Sequence, residues 1–177
     1  SLEGWRAYNG DKMPPGWKIV DSILTFRTDQ ILEEDYDYKG SRDIIYGAEE
    51  FDNFELYVEW NIPKGGNSGI FYHLKEGYDG PPVVAPEYQL LDDENYAEIH
   101  NYELKDWQLT ASDYAMHVPD NAQKVLYPPG QWNSSRIVFT PENVEHWLNG
   151  RKVLSFVPWS KDWYIKRDSG KWNNAPD

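Results

Sequence analysis

The protein has 177 residues, 30 acidic against 17 basic side chains, a formal net charge of −13 and no cysteine. The acidic excess argues against binding to a nucleic acid backbone or an anionic membrane, both of which select surfaces rich in lysine and arginine. The lack of cysteine excludes disulfides, thiolate catalysis and sulfur-ligated metals. The length corresponds to about one domain, and no apolar run approaches the roughly 20 residues of a membrane-spanning helix.

Aromatic residues are unusually frequent, with nine tryptophans and 13 tyrosines. Such rings fill hydrophobic cores, but they also stack on the C–H faces of sugars. The composition is therefore compatible with a carbohydrate-binding cleft as well as with an ordinary core.

Short runs that alternate between apolar and polar residues follow one another along the chain, separated by turn residues. The runs are 17–20, 23–27, 44–46, 54–62, 68–74, 87–91, 132–139, 144–148 and 152–156. The Asn149–Gly150 pair predicts a two-residue hairpin between the last two. Helical periodicity is almost absent, so the sequence predicts an all-β sandwich of antiparallel sheets.

Four other segments carry weaker signals. Residues 29–43 are acidic and irregular, which predicts a solvated loop. Residues 95–106 are compatible with one helical turn, 114–118 with a further strand, and 160–171 with a short helix.

Two strand-like runs, 68–74 and 87–91, contain polar residues among apolar ones. A carboxylate or an imidazole inside a strand is costly unless it is paired, hydrated or used. We therefore expect these runs to be neighbours and to form the floor of a ligand cleft. Glu87 is the best candidate for an acid or base, and the alternative is a carboxylate on the wet face of a sheet.

Histidines provide the other candidates. His73 is a candidate general base or metal ligand, or else a core residue with satisfied hydrogen bonds. Because successive residues of a strand face opposite sides, His146 points away from its neighbours Glu145 and Trp147. Either His146 joins the site while Glu145 and Trp147 pack elsewhere, or the reverse. Four histidines and many carboxylates could also hold a divalent metal ion, although no motif of fixed metal-ligand spacing is present.

Five motifs occur in an order and spacing that resemble the 3-keto-disaccharide hydrolase family over nearly the whole chain: GWRAYNG, GGNSGIFYH, EYQLLDD, GQWNSSRIVF and VEHWLNGRKV. The resemblance implies a jelly-roll sandwich of two curved antiparallel sheets, of the concanavalin A-like lectin and glucanase type, with sugar chemistry on the concave face. It also implies a periplasmic or secreted bacterial protein whose leader peptide has been removed.

The resemblance points to particular residues in these motifs. We expect three catalytic residues, Glu87, His73 and His146, and four substrate-binding residues, Ser68, Gln89, Glu145 and Trp147. No cofactor is certain, and a divalent metal ion is the candidate. The whole chain, 1–177, is expected to be a single β-sandwich domain that lacks the family's final C-terminal strands. No sequence feature indicates an oligomeric state.

The resulting hypothesis is a glycoside hydrolase that cleaves oligosaccharides or glycosides, including 3-keto sugars. A ketone acidifies the adjacent C–H bond, so cleavage by elimination and water addition would need a base and an oxyanion stabiliser rather than two carboxylates. The alternatives are a non-catalytic carbohydrate-binding module and a scaffold domain of a sugar-uptake assembly.

Overall fold

The computed structural model describes residues 1–27, 43–83 and 85–175. Its strands are β1 (Trp5–Ala7), β2 (Trp17–Val20), β3 (Ile23–Phe26), β4 (Ile44–Tyr46), β5 (Phe54–Trp60), β6 (Asn67–Phe71), β7 (Glu87–Leu91), β8 (Asn133–Thr140), β9 (Asn143–Leu148) and β10 (Arg151–Phe156). Two α-helices are present in the same ranges, α1 (Tyr96–His100) and α2 (Lys161–Ser169). The strands pair antiparallel throughout. The predicted loop at 29–43 lies, except for Asp43, outside the described residues.

The chain divides into two compact units, Ser1–Phe51 with Leu74–Ala85, and Asp52–His73 with Pro86–Asp177. The first unit contains the β1–β4 pair and the β2–β3 hairpin. Asp21 and Ser22 at the tip of that hairpin both have positive φ, 50° and 67°, as a tight turn between twisted strands requires. Within this unit the Arg6 guanidinium binds both oxygens of Glu76, each at 2.7 Å.

The second unit is built on a four-stranded sheet in the order β10-β9-β8-β5. Alternate residues of β8 and β9 are buried, so one face of the sheet belongs to the core and the other faces solvent. The predicted hairpin at Asn149 and Gly150 is confirmed, and both residues have positive φ, 47° and 78°.

A second layer, the β6–β7 pair, packs on the core face of this sheet. The rings of Tyr72, just after β6, and Phe139 in β8 are 5.9 Å apart between centroids. Tyr88 in β7 lies 4.7 Å from the ring of His146 in β9. Two antiparallel layers with an apolar filling form a sandwich, so the predicted fold class is confirmed.

The helical predictions are confirmed at α1 and α2, and Ser160 caps α2 by accepting a hydrogen bond from the Trp163 amide at 3.2 Å. The predicted strand at 114–118 is wrong. Asp113 and His117 pair with each other across a tight turn, and Ala115 within it has a φ of 65°. In the described ranges, neither helix has the length and apolar character needed to cross a bilayer.

Candidate functional site

Glu87 lies on the face of the β6–β7 pair that points away from the four-stranded sheet. In the register of the two strands, Gly69 is opposite Gln89 and Phe71 is opposite Glu87. A Cβ atom added to Gly69 would lie 2.1 Å from Oε1 of Glu87. The half-buried carboxyl group therefore lies directly over the backbone of Gly69, a position that any side chain at 69 would occupy. We call this surface the Glu87 face.

A further segment pairs with the free edge of β7. The amide of Gln89 donates to Ser112 O at 3.2 Å, and the amide of Ala111 donates to Gln89 O at 2.9 Å. Ala111 has a φ of 70°, and Ala111 and Ser112 together stand opposite Gln89, which is a β-bulge. The next hydrogen bond joins Tyr114 N to Glu87 O at 3.0 Å. This register places Tyr114 beside Glu87 on the Glu87 face.

Gln89 is 3% exposed. Among the described residues, its Oε1 is the buried side-chain oxygen that lacks a hydrogen-bond partner. A buried acceptor left unpaired costs about 1–3 kcal/mol, so a water molecule or a ligand hydroxyl at this oxygen would recover that free energy.

Tyr114 is surrounded by groups that the sequence interpretation did not single out. Its hydroxyl accepts hydrogen bonds from Gln108 Nε2 at 3.4 Å and Lys171 Nζ at 3.3 Å. Trp107 contacts its ring edge-on at a centroid distance of 5.3 Å. The indole of Trp172 donates to Tyr114 O at 3.0 Å. We call these five residues the Tyr114 cluster: Trp107, Gln108, Tyr114, Lys171 and Trp172.

His73 does not join Glu87. Its backbone has a φ of 49°, which interrupts the alternation of β6, and its ring is exposed. The ring stacks on Phe139, a core residue of β8, at 4.8 Å and an interplanar angle of 21°, and it also contacts Trp159. His73 therefore lies on the core side of the β6–β7 pair, whereas Glu87 lies on the other side. The expectation of one hollow shared by the two residues is corrected, although the expected pairing of their strands is confirmed.

His146 is fully buried in the core, at 0% exposure. Its Nδ1 lies 2.9 Å from Ala111 O, which can only accept, so Nδ1 carries the proton. Its Nε2 then accepts from the Tyr72 hydroxyl at 2.9 Å. Burial lowers the pKa of His146 to about 4. A neutral ring with both nitrogens engaged inside the core is the geometry of a structural histidine, away from the Glu87 face.

The remaining expected residues lie on other surfaces. Ser68 is exposed and stands opposite Leu90 in the β6–β7 pair. Glu145 and Trp147 lie on the solvent face of the four-stranded sheet, where Trp147 Nε1 donates to Glu145 Oε2 at 2.8 Å. A hydrogen bond from Lys152 lowers the pKa of Glu145. The structure thus brings Glu87 and Gln89 together on one face. The other five expected residues lie elsewhere: Ser68, His73, Glu145, His146 and Trp147.

A buried Asp–His pair is an additional polar feature. Asp113 Oδ2 lies 2.7 Å from His117 Nδ1, and the His117 ring stacks on Phe156 at 4.3 Å. Burial raises the pKa of Asp113, although the hydrogen bond from His117 acts in the opposite direction. Asp113 stands opposite Tyr88, so the pair belongs to the core side of β7.

The second unit also contains a cavity of about 550 Å³ beyond the end of β7. Trp60, Leu91 and Leu126 contribute to its lining, as do Asp93 and Lys124, which form an ion pair. Glu87 is not among the lining residues. In the described part of the chain, no three histidine or carboxylate side chains are placed to hold a metal ion together. The expected divalent metal ion stays a prediction.

Known proteins resemble this chain in sequence and in fold. A 3-keto-disaccharide hydrolase of Bacteroides thetaiotaomicron is 38% identical in an alignment of length 175 that covers 92% of this chain and 58% of that protein. The chain thus spans little more than half the length of this curated relative.

Solved structures show the same fold. A provisionally assigned glycosyl hydrolase from Parabacteroides distasonis has a TM-score of 0.84 and 40% identity, covering 100% of this chain and 77% of that one. A second such protein from the same organism has a TM-score of 0.54 and 27% identity, covering 62% and 53%. A family model described as the 3-keto-alpha-glucoside-1,2-lyase-like domain matches residues 1–175, so this chain belongs to that family.

Proposed function

We propose that the protein is a glycoside hydrolase that cleaves 3-keto glycosides, with Glu87 as the base. The observation that carries this proposal is the position of the Glu87 carboxyl over Gly69, beside the unpaired amide oxygen of Gln89. Family membership and the name of the Bacteroides relative support the substrate class.

The chemistry of a 3-keto sugar suits a single carboxylate. The C3 ketone acidifies the hydrogen on C2, and a carboxylate can remove it as the C1–O bond breaks and a C1=C2 double bond forms. Water then adds across this double bond, and the net reaction is hydrolysis. The residues opposite Glu87 on the two neighbouring segments are Phe71 and Tyr114 rather than a second carboxylate. This arrangement fits proton abstraction better than the two-carboxylate mechanism of ordinary glycosidases.

Gln89 supplies specificity in this proposal. Its buried oxygen accepts a hydrogen bond from a sugar hydroxyl, and a substrate that lacks that hydroxyl would leave the acceptor unpaired. Removing the partner of a buried acceptor costs about 1–3 kcal/mol, or roughly a factor of 5 to 150 in affinity.

A non-catalytic carbohydrate-binding module is the second candidate. The aromatic rings of Trp107, Tyr114 and Trp172 favour it, because such rings offer stacking surfaces to sugars without any chemistry. The two candidates make different predictions for turnover.

The deciding experiment measures cleavage of paired ordinary and 3-keto glycosides by the wild type and by Glu87→Gln. The proposal predicts turnover of the 3-keto substrates alone and a loss of at least about 100-fold in kcat for the variant. Glu145→Gln is the matched control, since it changes a carboxylate on the solvent face of the four-stranded sheet. Sugar binding without turnover in all three proteins would favour the binding module.

We also propose a periplasmic or secreted location for the natural protein, as the sequence resemblance implies. Fractionation of the source cells, with an antibody against this domain, tests that location directly.

A further inference from the structure

We propose that Tyr114 is the proton donor to the departing glycosidic oxygen and that Lys171 is its positioning residue. This inference rests on the proposed function and extends it from the base to the acid. An elimination needs both, because the leaving sugar departs as an alcohol only if a proton reaches its oxygen.

The backbone register places the acid next to the base. Tyr114 N donates to Glu87 O at 3.0 Å, and the preceding residue, Asp113, stands opposite Tyr88. Side chains directly opposite each other on one face of an antiparallel pair have Cβ atoms about 4.5–5.5 Å apart. That spacing suits two groups that act on adjacent carbons and their substituents in one sugar ring.

The hydrogen bonds at Tyr114 leave its own proton for a third partner. Lys171 Nζ and Gln108 Nε2 are both donors, at 3.3 Å and 3.4 Å, and together they occupy the acceptor positions of the phenol oxygen. The phenolic hydrogen must therefore point away from both. The Lys171 ammonium also lies 4.4 Å from the centre of the Tyr114 ring, so a positive group stands beside the oxygen that gives up its proton.

The proton balance of the reaction closes with these groups. Glu87 takes the proton from C2, the C1–O bond breaks, and Tyr114 transfers its phenolic proton to the departing oxygen. Water then adds to the C1=C2 bond of the enone: its oxygen bonds to C1, one of its protons returns to the Tyr114 phenolate, and protonated Glu87 returns a proton to C2. Both side chains end in their starting protonation states.

Two structural features keep Tyr114 in place for this role. The Trp172 indole donates to the Tyr114 carbonyl at 3.0 Å, and Trp107 packs edge-on against its ring. Tyr114 is half-buried, so these contacts hold the residue while part of its surface remains exposed.

The test compares Tyr114→Phe with the wild type on two 3-keto glucosides that differ in the leaving group, glucose or 4-nitrophenol. Glucose needs protonation as it departs, whereas 4-nitrophenolate does not. We expect kcat for the glucose leaving group to fall about 100- to 1,000-fold in the variant, and kcat for 4-nitrophenol to fall by less than about 5-fold. Near-normal cleavage of the nitrophenyl substrate also proves that the variant is folded.

Tyr102→Phe is the matched control, because Tyr102 contributes another hydroxyl to the same Gln108 side chain, at 3.1 Å from Nε2. It should cleave both substrates like the wild type. Lys171→Met should lower kcat for glucose departure about 10-fold with KM unchanged, and Lys171→Arg should restore most of it.

The outcomes separate this inference from the proposed function. If the wild type cleaves neither 3-keto substrate, the proposed function fails. If the wild type cleaves both and Glu87→Gln cleaves neither, the proposed function stands. In that case, wild-type rates in Tyr114→Phe, or equal losses for the two leaving groups, overturn the role of Tyr114 as donor to the departing oxygen.

Discussion

The carboxyl group of Glu87 lies over Gly69 so closely that a single added methyl group would meet it at 2.1 Å. The contact joins the backbone of β6 to the end of a side chain on β7, so an added methyl group would displace the carboxyl group while the β6–β7 register stays in place. Gly69 therefore determines where the carboxylate of Glu87 can lie.

We expect Gly69→Ala to abolish most activity without unfolding the protein. The new Cβ displaces the Glu87 carboxyl, and a misplacement of about 1 Å at a reacting group can cost 100-fold in rate. The measurement is kcat/KM on the best 3-keto substrate, together with the thermal melting temperature.

Gly80→Ala provides the matched control for Gly69→Ala. A Cβ atom there would make only an ordinary contact with Pro82 at 3.5 Å. If Gly69→Ala retains wild-type activity at an unchanged melting temperature, the carboxyl position over Gly69 is not the one used for catalysis.

The second prediction concerns the pH dependence of stability. The ordinary pKa of histidine, 6.5, applies to the unfolded chain, whereas burial lowers the pKa of His146 to about 4 in the folded protein. Between these values the unfolded state binds the proton and the folded state does not, so stability falls as the pH falls from 6.5 towards 4. A difference of about 2.5 pKa units corresponds to about 3 kcal/mol.

The variant His146→Gln cannot take up that proton, so it should lack this part of the pH dependence. Denaturant unfolding of both proteins at pH 7.5, 6, 5 and 4 measures the effect. The free energy of unfolding of the wild type should decline relative to that of His146→Gln across this range, and parallel curves would contradict a neutral buried histidine.

The strands of this protein could be predicted from alternation and turn residues, but the site only in part. Alternation placed Glu87 and Gln89 on one face of β7, and the structure agrees. Alternation does not predict the φ of 49° at His73, which directs its ring towards Phe139. A non-glycine residue with positive φ cannot be recognised from the sequence pattern.

The burial of His146 was equally hard to predict. A strand pattern shows which residues share a face, but it does not show whether a polar residue on the core face finds partners there. The partners of His146, Ala111 O and the Tyr72 hydroxyl, are 35 and 74 residues away in the chain. Tyr114 was missed because the bulge at Ala111 sets its register beside Glu87.

The third prediction concerns the Tyr72–His146 hydrogen bond. Tyr72→Phe leaves Nε2 of His146 without a donor, and His146→Phe removes the ring that pairs both with Tyr72 and with Ala111 O. An unsatisfied buried polar group costs about 1–3 kcal/mol, so each single variant should be destabilised by at least that amount.

Because both changes break the same bond, the double variant Tyr72→Phe/His146→Phe should be less destabilised than the sum of the singles, by about 0.5–3 kcal/mol. Additive free energies in urea unfolding would show that the two side chains do not interact.

The fourth prediction concerns the buried Asp113–His117 pair. His117→Phe leaves Asp113 without its hydrogen-bond partner at 1% exposure, and an unsatisfied buried polar group costs about 1–3 kcal/mol. Replacing both members by apolar residues, as in Asp113→Leu/His117→Phe, removes the uncompensated acid. We therefore expect the double variant to be more stable in urea unfolding than His117→Phe alone. The aromatic ring at position 117 faces Phe156 in both variants, so that contact does not distinguish them. A double variant that is less stable than the single one would indicate that Asp113 contributes to stability independently of His117.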